Sequence, residues 1–238
     1  MADKYVYPFS VADARSRNEL TLWRESRKLN IACKDAIEAA IRRDFDGMNL
    51  KGDCAESVIA EYGYTRVHRV LAATLQDKDF DGRFSRDNKA WAQSLYIPEA
   101  RDGCGYIVES HPAVLDGFVN EYRRAYDALG LFEVKHCEPD NSQQDYEGKV
   151  IVLSPNTLRE ECWSRENQLW LCSGGFGSHP NSRGRAVFAT CLGDDEQARW
   201  NRSDFCGVLK EEFLPVWAKE KLEQMNAPLE QSFGGQTM

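Results

Sequence analysis

The chain has 238 residues, with 30 Lys or Arg against 38 Asp or Glu, a formal net charge of −8. Apolar residues make up 42% and aromatic residues 11%, enough for a buried core, which excludes a disordered tail, a collagen-like chain and a coiled-coil rod. No apolar run is long enough to cross a bilayer. Met1-Ala2-Asp3-Lys4-Tyr5 has no apolar stretch behind its charge, so a soluble cytoplasmic protein without a signal peptide is expected.

The first half reads as helices. Ser10, with Asp13 three residues on, suits the cap of a short turn. A long helix is expected from about Asn18 to Phe45, because Leu20, Trp23, Ile31, Ile37, Ala40, Ile41 and Phe45 recur at steps near three and four. Gly47 is placed to stop it. Further helices are expected over Asp53–Tyr62, over Thr65–Gln76, and from the cap Ser85 through Leu95. Tyr106-Ile107-Val108 reads as a short strand or extended lead-in. Pro112 then opens a helix that runs to Leu129, with Gly130 after it.

A different period follows. Residues 138–148 hold four acids, no base and no aliphatic side chain, the composition of a linker. Lys149–Leu153, Gln168–Cys172, Arg185–Leu192 and Gln197–Asn201 read as strands. A short helix is expected after Ser154-Pro155 and a last one after Pro215. The fold class is therefore α+β: a mainly helical domain at 5–137, an acidic linker at 138–148, a small antiparallel sheet with helices against one face at 149–226, and a frayed tail at 227–238.

Three stretches carry a resemblance. They are Tyr7-Pro8-Phe9-Ser10 with Trp23-Arg24-Glu25-Ser26 and Asn30-Ile31-Ala32-Cys33-Lys34; Asp79-Phe80-Asp81-Gly82-Arg83-Phe84-Ser85; and Ser110-His111-Pro112. Together they resemble a bacterial and phage domain of unknown function, number three-eight-four-nine, over residues 5 to about 137. Gly174-Gly175-Phe176-Gly177, Gly184-Arg185 and Trp200-Asn201-Arg202-Ser203-Asp204-Phe205 resemble a module in accessory proteins of conjugative elements of gut Clostridia. The resemblance implies a setting, cargo of a mobile element, and no particular chemistry.

Eight cysteines at 33, 54, 104, 137, 162, 172, 191 and 206 form no close pair, which argues against zinc and for reduced, mostly buried thiols. Asp77, Asp79 and Asp81 alternate and Gly82 follows, as at the start of a twelve-residue calcium loop. The twelfth position is Asn88 where a bidentate Glu belongs. The simpler reading has Phe80 and Phe84 anchoring a connector. His68 reads as helix packing and His111 as a helix start. Trp23, Arg24, Arg27, Lys28, Asn30 and Lys34 form a basic stripe, but Glu19, Glu25, Asp35 and Glu38 interleave with it as helical ion pairs.

The segment from Ser173 to Arg185 is rich in glycine and free of acids. It could hold a phosphate or nucleic-acid backbone through Gly174, Gly175, Gly177, His179, Arg183 and Arg185, with Arg199 and Arg202 extending the basic surface. It also reads as a long connection between strands, with Arg185 paired to Asp194, Asp195 or Glu196 across the sheet. The functional expectation is a non-enzymatic module of a mobile element that binds a macromolecule, with no cofactor. The net charge points to a protein partner. The alternative is a phosphate- or nucleic-acid-binding protein or enzyme that works through residues 173–185.

Overall fold

The computed structural model describes residues 5–98 and 105–226. Cys104 and the expected frayed tail at 227–238 lie outside them. The chain divides into two compact units, residues 1–129 and 130–238.

The first unit is helical. Ser10 accepts from the Asp13 amide at 3.1 Å and caps α1 (Val11–Ser16). Asn18 then adopts a left-handed backbone, φ +60°, which Asn tolerates, so α2 begins at Leu20 and runs to Asp44. Its core face presents Cys33, Ile37, Ala40 and Ile41 to α3 (Glu56–Tyr62), α4 (Tyr64–Asp77) and α6 (Pro112–Asp127), and α5 (Arg86–Gln93) packs on α4 and α6. Residues 106–108 are extended without forming a strand, and Tyr106 and Val108 are buried in this core. Phe84 is buried, as expected of an anchor, but Phe80 is 87% exposed and anchors nothing.

His68 on α4 stacks on Trp91 with centroids 4.4 Å apart. Its Nε2 is buried with no hydrogen-bond partner among the described residues. Burial pushes its pKa down to about 4. Well above pH 7 the ring is neutral both folded and unfolded and contributes little to pH dependence. As the pH falls below about 6.5 the unfolded chain gains a proton that the folded ring refuses, so stability declines until about pH 4, by about 3 kcal/mol in all. Urea midpoints between pH 7 and pH 4 are expected to fall less in His68→Phe, which keeps a ring against Trp91. Parallel profiles in the two proteins would assign the acid sensitivity elsewhere.

The second unit is built on a five-stranded antiparallel sheet. Its strands are β1 (Val150–Leu153), β2 (Leu169–Gly174), β3 (Ala186–Cys191), β4 (Gln197–Asn201) and β5 (Phe205–Val208), in the order β4-β3-β2-β1-β5. The fold is thus α+β. Strand alternation splits β1 and β2 between two cores, and a register shift in the β1–β5 pairing puts Phe205 and Val208 of β5 on one face. Ile151, Leu153, Trp170, Cys172, Phe205 and Val208 face one of them. Val152, Leu169 and Cys206 face the other, against Trp217, Ala218 and Leu222 of α8 (Val216–Asn226).

Several expectations are corrected. The division between units falls at 129/130, ahead of the expected linker. Gln168, at the end of α7 (Arg165–Gln168), is wholly buried and bonds both the amide (2.8 Å) and the carbonyl (2.9 Å) of Phe132. Cys137 bridges to Leu209, and the Glu138 amide donates to the Val208 carbonyl at 2.8 Å. Residues 138–148 are part of this unit, with Tyr146 buried in its core. The segment after Pro155 forms turns and a single 3-10 turn at Glu160–Cys162 in place of an α-helix. The seven described cysteines are unpaired, with six buried and Cys162 exposed. No helix among the described residues is long and apolar enough to cross a membrane.

Candidate functional site

The alternating acids at 77–81 do not converge. Asp81 is held by Arg83, whose Nε and Nη2 donate at 2.9 and 2.6 Å, and this pairing holds its pKa down to about 2. Asp77 ends α4, and Lys89 donates to the Asp79 carbonyl at 2.5 Å. Asn88, the twelfth position, is buried; it donates to Asp116 (2.8 Å) and Asn120 (2.9 Å) and accepts from Arg123 (2.6 Å). The Asn88 side chain is therefore a link between α5 and α6 and offers no ligand to the loop. No cluster of three possible metal ligands occurs among the described residues.

The basic stripe on α2 also disperses. Asn30 is buried against Arg66 (2.7 Å), Arg27 lies over the Trp23 ring, and Lys34 pairs with Asp35 and Glu38. An open groove of about 720 Å³ lies elsewhere in the first unit, lined by Phe45, Met48, Leu50, His111, Val114 and Glu121 among others. His111 is the N-cap of α6, and Glu121 pairs with Arg124 at 2.7 Å.

The 173–185 connection joins β2 to β3 and folds down on its own flanks. Gly175 has φ +110°, and a Cβ there would lie 2.4 Å from the Ala186 carbonyl. At Gly177 a Cβ would lie 2.3 Å from the Arg185 carbonyl. Both approaches are to backbone, so these glycines permit close packing of the connection. Gly174 also has positive φ but open space beside it. Ser178 is fully buried and donates to the Gly175 carbonyl at 2.6 Å.

Arg202 is the centre of this arrangement. One Nη donates to the carbonyls of Gly177 (2.9 Å) and Ser178 (3.1 Å). The other donates to those of Asn141 and Gln144, both at 2.6 Å. The guanidinium lies 3.9 Å over the Tyr146 ring. A guanidinium with both Nη groups bonded to carbonyls and one face over a ring ties two loops together and leaves little for a ligand. His179 faces Asp145 (3.2 Å) and Glu147 (3.4 Å). Asp145 is held below the usual carboxylate range by the Glu147 amide and then by His179. Two carboxylates around an imidazole repel an anion.

Arg183, Arg185 and Arg199 are different. All three are exposed, with no side-chain hydrogen bond or ion pair among the described residues. Arg185 does not reach the acidic turn, because the β3–β4 register places it beside Arg202, whose amide donates to its carbonyl at 2.9 Å. Asp194–Glu196 lie at the far end of the hairpin, about 20 Å away at strand rise, and Asp195 pairs with Lys221 at 2.6 Å. Arg199 pairs in register with Phe188. Hydrogen bonds at 185/202 and 191/196 make 188/199 a non-hydrogen-bonded pair, whose side chains stand closest.

Two aromatic rings of the same segments are also exposed. Phe188 is 49% exposed and Phe176 is 76% exposed. Gly175, adjacent in sequence to Phe176, sits so close to Phe188 that a Cβ would lie 3.1 Å from its ring. The sequence reading missed both rings. An alternating strand with apolar residues on both faces does not reveal which face a helix leaves bare.

No curated protein and no solved structure matches the chain. The sequence model of a family described as "Protein of unknown function (DUF3849)" matches residues 6–127, which is the helical unit bearing the Trp23, Asp79–Ser85 and Ser110–Pro112 stretches. The chain belongs to that family.

Proposed function

We propose that the protein is a non-enzymatic macromolecule-binding module, working in the cytoplasm as an accessory of a mobile genetic element. The setting rests on the resemblance of its two halves to phage and conjugative-element sequences. An antagonist of host defence is one form this role takes. The binding reading is carried by one observation: Phe188 and Arg199, paired in register on an open sheet face, with Phe176, Arg183 and Arg185 exposed on the adjoining connection. Exposed aromatic rings beside arginines are the side chains that anchor macromolecular interfaces. The face belongs to residues 130–238, beyond the span matched by the family. An enzyme acting through residues 173–185 has less support, because the connection's glycines and Arg202 are committed to packing it.

The test compares the intact chain with its Arg183→Ala/Arg185→Ala/Arg199→Ala variant as baits in bacterial lysate, alongside thermal melts. The expected result is a specific partner held by the wild type and lost by the variant, with melting unchanged. A partner retained equally by both would refute the assignment to this face. Substrate turnover without a specific partner would refute the binding role.

A further inference from the structure

The β3–β4 half of the sheet has one face in the core and one face bare. Val187, Ala189 and Cys191 point into the core, with Ala198 and Trp200 packed beside them. Phe188, Gln197 and Arg199 therefore point the other way, and all three are exposed. On β2 that same face is covered. Leu171, the register partner of Thr190, packs into the cluster of Trp217, Ala218 and Leu222 from α8. Beyond β2 an open groove of about 310 Å³ is lined by Ser173, Phe188, Thr190, Gln197 and Arg199 among others.

We propose that this bare face binds single-stranded nucleic acid. Phe188 and Phe176 stack on bases, and Arg199 and Arg183 meet the phosphates. The inference rests on the macromolecule-binding reading and narrows its partner. Charge complementarity favours a polyanion. Residues 167–193 contain no acid, although the chain's acid content would place about four there at random. The net charge of −8 opposes any polyanion only at long range, and salt screens it beyond about 8 Å at physiological ionic strength. The acids of the Asp194–Glu196 turn sit at the opposite end of the hairpin from Arg183 and Arg185.

The aromatic component selects among polyanions. A base is apolar on its faces and polar on its edges, so a phenyl ring covers the face while groove amides and hydroxyls stay near the edges. Thr190 and Gln197 stand in such positions. A duplex hides its base faces in its own stack and would leave both rings in water. An acidic peptide satisfies the arginines without using flat rings. Two platforms and two guanidinium groups match a contact of two nucleotides.

The experiment uses the full chain and fluorescence anisotropy with labelled oligo(dT) and oligo(U) of about 12 nucleotides, the duplex of equal length, and poly-Glu. Single strands are expected to bind at least about tenfold tighter than duplex. The slope of log K against log salt should be about −1.4, which is two phosphate contacts on a single strand. Phe188→Ala should weaken binding about tenfold without altering the melt, and Phe188→Trp should restore it. Arg199→Ala should reduce the slope by about 0.7. Duplex bound as tightly as single strands would overturn the inference, as would Phe188→Ala binding like wild type. Poly-Glu binding lost in Arg199→Ala, with oligonucleotides ignored, would overturn the nucleic-acid partner and keep the macromolecule-binding role. No binding by any probe overturns the inference, and the lysate comparison then decides the broader role separately.

Discussion

Arg202→Ala is expected to lower the stability of the chain by about 4 kcal/mol. Its guanidinium donates to four backbone carbonyls and lies over the Tyr146 ring. A hydrogen bond from a charged donor is worth about 1.5–3 kcal/mol where its acceptor is shielded, and these bonds share one donor group, so they do not add in full. Both loops that it joins should loosen, with faster amide exchange at Tyr146, whose amide donates to the Ser178 carbonyl at 2.9 Å. Arg202→Lys should recover little, because an ammonium cannot span the two pairs of carbonyls that the planar fork reaches. A loss below about 1 kcal/mol would show that water replaces the guanidinium at these carbonyls.

Arg66→Met is the second large loss expected, about 3–5 kcal/mol. Arg66 on α4 is fully buried, and donates to Asn30 (2.7 Å), to the Ser26 carbonyl (3.0 Å) and to the Tyr5 carbonyl (2.5 Å). Tyr7 adds a bond from its amide to Ser26 Oγ at 3.0 Å, so the Arg66 contacts fasten residues 5–7 to α2. Met fills much of the volume and donates nothing, which leaves Asn30 and Ser26 shielded from water without the guanidinium. Denaturant melts of Arg66→Met, Asn30→Ala and the double variant form a cycle. A coupling energy near zero would mean that the contact adds no stability of its own.

The helices and most strands were legible locally. The Ser10–Asp13 capping box, the Ser85 cap and Pro112 at the first turn of α6 are short-range devices. The three-to-four spacing of apolar residues in α2 is short-range as well. Strands β1, β3 and β4 lie within or on the expected bounds. β5 was missed because Phe205-Cys206-Gly207-Val208 is four residues long, buried throughout, and carries Gly207 at φ +146°. Its pairing with β1 across more than fifty residues is what makes it a strand. The expected helix after Pro155 failed for the opposite reason. The Asp204 carbonyl accepts from the Ser154 amide at 2.9 Å and from the Thr157 hydroxyl at 3.1 Å, and these contacts hold the segment in turns.

The candidate surface divides along the same line. Composition alone marked 173–185 as an acid-free, glycine-rich stretch and picked out Arg183, Arg185, Arg199 and Arg202 together. Only the folded chain separated them, because a guanidinium is free or committed according to which carbonyls the fold brings within about 3 Å. Arg202 meets acceptors from residues 141, 144, 177 and 178, whereas Arg199 meets a phenyl ring and solvent. The amino-acid sequence by itself determined where helices begin, which strands alternate and where acids are missing, since those signals act within a few residues. The tertiary structure decided the division between units, the burial of Arg66, the commitment of Arg202 and the baring of Phe188, since each depends on groups distant in the chain arriving at one place.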